Sequence, residues 1–401
     1  MINSTIVSNA GRPLEFVRSG SGTIINSIIY HNTNPVIVLD DDVQSSVYFS
    51  HSNIEGGRSS IYNDDGGTLS WGNGNISSYP VFADTTNGDY SLADTSPCIS
   101  AGASSVTVGG TTYTAHTTDL AGNARPSPTG TMPDMGAYEN SNGVASYSGD
   151  SYYVSASSNY GNGSSTYPFP AIQQGIDASS SGDTVSVAAG TYVENIEINK
   201  DIAVIGANRE TTIIDGDSSG SVVYFGPNAG TGALLKDFTI QNGTGRYGLH
   251  AASDDLCGGG IFLDDGSSPK LIRLIVTNNQ AEGRGAGIFK NTSATLLVEN
   301  TIINNNHGPD NSQLNGAGIG GDGGGDGSVI YGCTIENNHA SYEAGGISLP
   351  DHPVIIKTII ANNTSNIGPS AIYAHGASIS NCTIISNGDD GNSNNDPALM
   401  K

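Results

Sequence analysis

A short alternation of apolar and polar residues recurs along the chain and ends each time in a turn that carries asparagine. Such a run, rich in Thr, Ile and Val, predicts a half-buried β-strand, because alternate side chains of a strand point to opposite faces. The segments are KDFTIQNG (236–243), RLIVTNNQ (273–280), ENTIINNN (299–306), YGCTIENN (331–338), IKTIIANN (356–363) and SNCTIISNG (380–388). With Asn242, Asn278, Asn305, Asn337, Asn362 and Asn387 as markers, the spacings are 36, 27, 32, 25 and 25. Repeats of this length predict a solenoid.

Each repeat also contains a second strand that is rich in small residues. These strands are GGGIFL (258–263), GAGIFK (285–290), GAGIGG (316–321), AGGISL (344–349) and SAIYA (370–374). One repeat is too small to bury its own apolar face, so stacking must join neighbouring Ile and Val residues into one core. Aligned asparagines can hydrogen-bond along such a stack as a ladder, which gives them a structural rather than a catalytic role. The 55 glycines also disfavour helices, so we expect an all-β protein.

The first residues of the chain carry the same pattern, in INSTIVSNA (2–10) and INSIIYHN (25–32). Asn9 and Asn32 are 23 residues apart, and joining Lys401 to Met1 on paper also places Asn9 23 residues after Asn387. The sequence therefore predicts that the cut between residues 401 and 1 falls inside a solenoid, in register.

Residues 152–196 resemble the N-terminal cap and first strand of right-handed parallel β-helix proteins of the pectin-lyase-like superfamily. The resemblance implies a cap helix at about 171–178, followed by the strand DTVSVAAGTY. Residues 80–139, with PVFAD, NGDYSL, SPCISAG, DLAGNARP and PDMGAYE, resemble the choice-of-anchor module that follows bacterial surface β-helices. The fold class implied is an all-β, right-handed parallel β-helix solenoid.

This resemblance places the C-terminal part of one β-helix before the N-terminal cap of another along the chain. The predicted order is final coils (1–60), a closing module (61–140), a linker (141–151), the cap and first coil (152–200), and coils open at the C-terminal end (201–401). A joined solenoid of about eleven or twelve coils would be roughly 55 Å long, whereas the linker reaches at most about 40 Å. We therefore favour a tandem or head-to-tail arrangement over a circular permutant. Open strand edges predict self-association of the Met1 side of one copy with the Lys401 side of the next.

The chain carries 38 acidic and 14 basic residues, a formal charge of −24. This charge disfavours binding to nucleic acid, because it repels the phosphate backbone. No apolar run reaches the roughly 20 residues that span a bilayer, so we expect no membrane insertion. The start, MINSTIVSNAGRPLEF, does not look like a signal peptide, yet the resemblance implies a secreted or cell-surface protein.

The four cysteines are Cys98, Cys257, Cys333 and Cys382. Cys333 and Cys382 occupy the same place in two repeats, with Lys357 in that place between them. Cys333 and Cys382 are therefore two coils apart, at a distance of roughly 9–10 Å, which is too far for a disulfide. We expect all four to be small, mostly buried, reduced side chains.

Catalysis is an alternative function, because the superfamily that the chain resembles includes pectate lyases, polygalacturonases, pectin methylesterases and alginate-modifying enzymes. The chain has neither the Asn-Thr-Asp nor the Arg-Ile-Lys motif of polygalacturonases. The best candidate catalytic group lies in an inserted loop and consists of Arg246, Tyr247, His250, Asp254 and Asp255. There Tyr or His could act as base and Arg could hold a substrate carboxylate.

Acidic turns rich in glycine favour calcium more than catalysis, because calcium binds several carboxylate and carbonyl oxygens. The best candidates are Asp322 and Asp326 in GGDGGGDGS (320–328), followed by Asp264 and Asp265 in LDDGSS (263–268). Ordinary turns explain the same residues.

We therefore expect a secreted or cell-surface structural or adhesive protein whose β-helix units connect into a fibre. Two alternatives stay open: a lyase or hydrolase of an acidic polysaccharide, and a non-catalytic carbohydrate-binding module. Exposed Tyr side chains would stack on sugars in the second alternative.

Overall fold

The structure is a computed structural model of the chain. It describes residues 1–10, 13–16, 20–32, 37–39, 45–63, 67–145, 147–247, 255–309, 312–323, 327–350, 352–389 and 399–400. Contacts divide the chain into two compact units, Met1–Ala178 (unit 1) and Ser179–Lys401 (unit 2).

Unit 1 begins with short parallel strands wound into coils and continues with the closing module. The coils pass the predicted boundary at residue 60, because strands Ile61–Asn63 and Thr68–Trp71 pair in parallel with earlier coil strands. Its strands are β1 (Thr5–Val7), β2 (Leu14–Phe16), β3 (Ser21–Ile25), β4 (Ile28–Tyr30), β5 (Ile37–Leu39), β6 (Ser46–Ser50), β7 (Asn53–Ile54), β8 (Ile61–Asn63), β9 (Thr68–Trp71), β10 (Phe82–Asp84), β11 (Asp89–Leu92), β12 (Ser105–Val108), β13 (Thr111–Thr114) and β14 (Ser151–Val154). Parallel pairing gives sheet 1′ (β3-β6-β9), sheet 2′ (β1-β4-β7) and sheet 3′ (β2-β5-β8). β10 pairs with β11, and β12 with β13, as antiparallel hairpins. Helix α1 (Ile172–Ala178) confirms the helix predicted at 171–178.

Unit 2 is a longer solenoid of the same kind. Its first strands are β15 (Thr184–Val187), β16 (Gly190–Val193), β17 (Ile196–Ile198), β18 (Ala203–Gly206), β19 (Thr212–Asp215), β20 (Val223–Phe225), β21 (Leu234–Lys236), β22 (Thr239–Gln241), β23 (Arg246–Tyr247), β24 (Leu256–Cys257), β25 (Ile261–Leu263), β26 (Lys270–Ile272), β27 (Ile275–Thr277), β28 (Ile288–Lys290), β29 (Leu297–Glu299) and β30 (Ile302–Asn304). The remaining strands are β31 (Ile319–Gly321), β32 (Val329–Tyr331), β33 (Thr334–Glu336), β34 (His339–Ala340), β35 (Ile347–Leu349), β36 (Val354–Ile356), β37 (Ile359–Ala361), β38 (Thr364–Ser365), β39 (Ile372–Ala374), β40 (Ser378–Ser380), β41 (Thr383–Ile385), β42 (Gly388–Asp389) and β43 (Leu399–Met400).

Three long parallel sheets run along unit 2. Sheet 1 contains β15-β18-β21-β26-β29-β32-β36-β40, sheet 2 contains β16-β19-β22-β27-β30-β33-β37-β41, and sheet 3 contains β17-β20-β25-β28-β31-β35-β39-β43. Consecutive strands of a sheet come from consecutive coils, which confirms the predicted all-β solenoid. A smaller parallel sheet, β34-β38-β42, lies between the strands of sheets 2 and 3 along the chain, and an antiparallel pair, β23-β24, lies in the inserted loop.

In sheet 2 of unit 2 the middle residue of each three-residue strand enters the core, whereas in sheet 3 the first and third residues do, as Val223 and Phe225 show. Along sheet 2 the inward column is Ile240, Val276, Ile303, Ile335 and Ile360, all fully buried. The first and third residues of these strands face outward, because alternate side chains of a strand point to opposite faces. This pattern is the predicted alternation of apolar and polar residues.

Two corners of the six coils from β21 to β41 use a residue in the left-handed backbone conformation. The first corner, between sheets 1 and 2, has Asp237, Arg273, Asn300, Gly332, Lys357 and Asn381, with φ between 51° and 65°. The second corner, after sheet 2, has Asn242, Asn278, Asn305, Asn337, Asn362 and Ser386, with φ between 55° and 60°. Asn adopts this conformation more easily than most residues, because its short polar side chain can hydrogen-bond locally. The asparagines chosen as sequence markers are therefore corner residues.

The asparagine ladder exists, but it lies one residue later than most of the markers. Its members are the buried residues Asn279, Asn306, Asn338 and Asn363, followed by Asn387. Each Nδ2 donates to the next Oδ1, as from Asn306 to Asn338 (3.0 Å) and from Asn338 to Asn363 (2.9 Å). The predicted alignment of Asn387 with Asn362 was therefore wrong by one residue, since Ser386 takes the corner.

The cysteine column needs the same correction. Thr358, not Lys357, lies between Cys333 and Cys382, because Lys357 is a corner residue. All four cysteines are free, and Cys98, Cys257 and Cys333 are buried. Cys333 and Cys382 donate weakly from Sγ to carbonyl oxygens of the preceding coil, Val298 (3.6 Å) and Ile355 (3.4 Å).

The coils of unit 1 follow the same rules. Asn3, Asn26 and His51 are left-handed at the first corner, and Ser8 and His31 at the second. The Nδ2 of Asn9 donates to Oδ1 of Asn32 (2.9 Å), which starts an equivalent ladder. Sheet 2′ of unit 1 therefore corresponds to sheet 2 of unit 2.

The closing module packs on the outer face of sheet 2′. Ile28, the first residue of β4, is fully buried in a cluster with residues of the module. The partners in that cluster are Ile76, Phe82, Leu92, Cys98, Ile99 and Met135. The amide of Asn26, buried at the first corner, pairs with Ala103 through two hydrogen bonds, of 2.7 and 2.8 Å. The corner and the sheet face together bind the module.

Candidate functional site

The inserted loop that supplies the catalytic candidates is only partly described. Arg246 and Tyr247 form β23, which pairs with β24. Tyr247 is 67% exposed, and Asp255 precedes β24. His250 and Asp254 lie outside the described residues, so their relation to Arg246 stays a prediction.

Arg246 lies over an aromatic column on the outer face of sheet 3. Its guanidinium carbon is 3.8 Å from the ring centroid of Tyr224 and 5.6 Å from that of Phe262. Such cation–π contacts hold the guanidinium flat against the rings. Phe262 also packs against Phe289, with ring centroids 5.0 Å apart. The arginine proposed to hold a substrate carboxylate thus takes part in packing the loop.

Tyr224 connects this column to the acidic turn of the next coil. Its hydroxyl donates to Oδ2 of Asp264 at 2.5 Å. Burial raises the pKa of Tyr224, and the hydrogen bond to Asp264 raises it further. The phenol of Tyr224 therefore stays protonated at neutral pH and is not suited to act as a general base.

The carboxylates of Asp264 and Asp265 are satisfied by neighbouring donors. Oδ1 of Asp264 accepts from Asn291 Nδ2 (3.2 Å) and from the Asp265 N–H (2.9 Å). Oδ1 of Asp265 accepts from both the N–H (2.8 Å) and the hydroxyl (3.0 Å) of Ser293. Calcium would have to compete with these donors, and calcium binding at this turn stays a prediction.

Asp322 forms an ion pair with Arg284. A guanidinium competes directly with a metal ion for the carboxylate oxygens. Asp326 lies outside the described residues, so calcium binding at this turn stays a prediction. In the part of the chain that the structure describes, no group of three or more His, Cys, Asp or Glu side chains is arranged to hold a metal ion.

A groove of about 550 Å³ follows the first corner of unit 2. Its walls include the corner residues Asp237, Arg273, Asn300 and Gly332. Arg273 forms two hydrogen bonds to the carboxylate of Asp237, one of them 2.7 Å from Nε to Oδ1. Asp237 thereby raises the pKa of Arg273. The charges of this wall are paired with each other.

Arg209 crosses the same groove along the solenoid. Its Nη1 donates to the carbonyl oxygen of Asn300 (3.1 Å), and its Nε to Oε1 of Glu210 (2.9 Å). The sequence did not point to this groove, because the asparagine markers of the repeat lie at the second corner, whereas the groove follows the first.

The comparison with protein families agrees with the solenoid fold of unit 2. Residues 222–396 match the family described as "Right handed beta helix region". The solenoid is a right-handed parallel β-helix. No curated protein matches the chain.

The described part of this β-helix protein contains no helix that is long and apolar enough to cross a membrane. Two surfaces of the β-helix are candidate sites. One is the groove at the first corner, where the charged side chains pair with each other. The other is the outer face of sheet 2 together with the coil ends.

Proposed function

We propose that this protein is a structural β-helix element, secreted or held at a cell surface, whose copies assemble head to tail into a fibre. The observation that carries the proposal is that residues 3–9 of unit 1 repeat the coil at 381–387 of unit 2. Asn3 and Asn381 are both left-handed, with φ of 49° and 55°. Strands Thr5–Val7 and Thr383–Ile385 follow at the same distance.

The asparagine ladders of the two units have the same polarity. Asn9 donates forward to Asn32 (2.9 Å), and Asn363 donates forward to Asn387 (2.9 Å). A coil of the 3–9 type stacked after a coil of the 381–387 type would continue the ladder from Asn387 to Asn9. The direction of the hydrogen bonds would not reverse.

Backbone pairing would continue in the same way. The first residue of each sheet 2 strand donates its N–H to a carbonyl oxygen of the preceding coil, as from Ile359 to Cys333 (2.9 Å) and from Ile28 to Ser4 (2.8 Å). The next bond of the series is the Thr5 N–H of one copy to the Cys382 carbonyl oxygen of another. Strand edges favour such addition, because backbone donors and acceptors gain partners.

The chemistry of the inserted loop also supports a structural role. Arg246 packs on Tyr224, and Tyr224 donates to Asp264, so these groups stabilise the fold. The resemblance of residues 80–139 to modules that follow surface β-helices supports the proposed location. With a charge of −24, the copies repel each other at a distance, so we expect added salt to strengthen assembly.

Sedimentation velocity over a concentration series tests the proposal at low and high salt. Thr5→Pro removes the N–H that would bond to Cys382, and its ring obstructs the strand edge. Thr5→Val is the matched control, because both variants lose the hydroxyl that accepts from the Ala137 N–H (2.9 Å). Circular dichroism checks that each variant is folded.

We expect wild type and Thr5→Val to form concentration-dependent assemblies and Thr5→Pro to remain monomeric. A wild-type chain that stays monomeric at every concentration and salt would overturn the proposal. Equal assembly of the two variants would also contradict it, because stacking would not use this edge.

A further inference from the structure

The outer face of sheet 2 is apolar and exposed near residue 385. Ile359, the first residue of β37, is 45% exposed, and Ile385, the third residue of β41, is 56% exposed. Both point outward, because only the middle residue of each of these sheet 2 strands enters the core. Earlier in the same sheet, Ile275 and Ile302 are partly buried. Exposed apolar side chains on adjacent strands are typical of an interaction surface.

Unit 1 identifies what covers this face where it is buried. Ile28 occupies in β4 the place that Ile359 occupies in β37, since each follows a left-handed corner residue by two positions. Ile28 is fully buried by the closing module, and Val7 of β1 is packed against the same cluster. Val7 corresponds to Ile385, the third residue of its strand. The surface that is open in unit 2 is thus the surface that holds the module in unit 1.

We infer that the outer face of sheet 2 at Ile359 and Ile385 receives the closing module of a second copy of this chain. The inference rests on the head-to-tail stacking proposed above. When β1 of one copy follows β41 of another, the buried interface on sheet 2′ becomes continuous with this face. The module then covers the junction between copies as well as its own coils.

Leu120 is the side chain of the module placed to make this contact. It is 71% exposed, and its N–H donates to the carbonyl oxygen of Ala137 (2.9 Å). The Ala137 N–H in turn donates to Oγ1 of Thr5 (2.9 Å), in the first coil of sheet 2′. Leu120 therefore lies beside the edge strand that would meet β41. Its burial against the two isoleucines would remove three exposed aliphatic side chains from water.

Val193 provides a matched control for Ile385. It is the last residue of β16 and aligns through Asp215 with Gln241, so it lies in the same outward column at the other end of sheet 2, and it is 63% exposed. We expect Ile385→Ser to weaken assembly about tenfold in sedimentation equilibrium, because it removes an apolar contact. We expect Val193→Ser to assemble like wild type.

Cross-linking between differently tagged copies tests the position of the module. In a Cys382→Ser background, a copy with Leu120→Cys is mixed with a copy carrying Ile385→Cys and treated with a short bis-maleimide. We expect a cross-linked dimer, and none when Val193→Cys replaces Ile385→Cys. In the Thr5→Pro background the cross-link should disappear.

The outcomes separate the two proposals. If the chain assembles but Ile385→Ser and Val193→Ser behave alike, the docking surface is wrong and the stacking stands. Cross-linking that survives Thr5→Pro would mean side-by-side contact, which also contradicts the inference. A wild-type chain that does not assemble overturns the head-to-tail proposal itself.

Discussion

The same outward sheet face is core in unit 1 and surface in unit 2. Ile28 and Ile359 occupy equivalent places in their coils, yet Ile28 is fully buried and Ile359 is 45% exposed. The closing module makes the difference, because its apolar residues pack on sheet 2′. An outward isoleucine in a coil therefore has no fixed role. What packs against the sheet decides whether it stabilises the fold or remains available for binding.

The largest expected effect comes from truncating the two isoleucines. Ile28→Ala should lower the free energy of unfolding of unit 1 by about 2–5 kcal/mol, because it leaves a cavity beneath the module. Ile359→Ala should change that of unit 2 by less than about 0.5 kcal/mol. Trp71, the one tryptophan of the chain, packs against Phe49 in unit 1, so its fluorescence follows urea unfolding there. Hydrogen exchange measures the stability of unit 2. Similar losses of stability for Ile28→Ala and Ile359→Ala would contradict the comparison.

The second effect separates ladder asparagines from corner asparagines. Asn338→Ala should cost about 1–3 kcal/mol, because Asn306 loses its buried acceptor. Asn337→Gly should cost less than about 0.5 kcal/mol, since glycine adopts the left-handed conformation without strain. Hydrogen exchange in β33 and β37 measures both. A larger loss for Asn337→Gly would mean that the corner, not the ladder, stabilises the stack.

The third effect concerns Asp134, a carboxyl group that is buried within the closing module. Burial raises the pKa of Asp134 to about 8, and nearby Glu139 adds to the shift. Between the unfolded pKa of about 3.9 and this value, the folded state holds a proton that the unfolded state releases. The stability of unit 1 should therefore fall as pH rises from about 6 to about 8, by at most about 1.4 kcal/mol per unit.

Asp134→Asn should remove this dependence in the Trp71 unfolding assay. The isosteric amide keeps an acceptor for one of the N–H groups, of Ser100 or Asn140, that donate to Asp134. A wild-type profile that is flat over this range would show that the carboxyl is ionised in the folded state.

The smallest effect is expected at the cysteine column. Cys382 occupies the place that Ser4, Ser27 and Ser52 occupy in unit 1, where each hydroxyl bonds to the backbone. Cys382→Ser should change the thermal midpoint little, corresponding to less than about 0.5 kcal/mol. A large loss would show that the two units use this column differently.

The sequence predicted the coils well and their register less well. Each strand of sheet 2 from β22 to β37 contributes a buried Ile or Val between two outward residues, and this alternation can be read directly. The helix at 171–178 and the ladder were also predicted. The ladder was placed one residue early, because Asn337 and Asn338 are both asparagines and no pattern distinguishes corner from interior. Only the φ of 55° at Asn337 and the burial of Asn338 settle the assignment.

The candidate sites were harder to predict, because charged residues can bond within the fold. Asp264 and Asp322 are predicted calcium ligands, and in the fold Asp264 accepts from Tyr224 and Asn291, while Asp322 pairs with Arg284. Those partners are remote in sequence, so spacing could not reveal them.

By itself the sequence determined the repeat, since one coil cannot bury its own apolar face and must stack on others. It also determined the equivalence of residues 3–9 and 381–387, because both carry the same alternation and corner residues. Only the tertiary structure decided which outward face is covered, since that depends on how the closing module folds against sheet 2′. For the same reason it alone decided that Ile359 and Ile385 are exposed, on the face where we propose that a second copy binds.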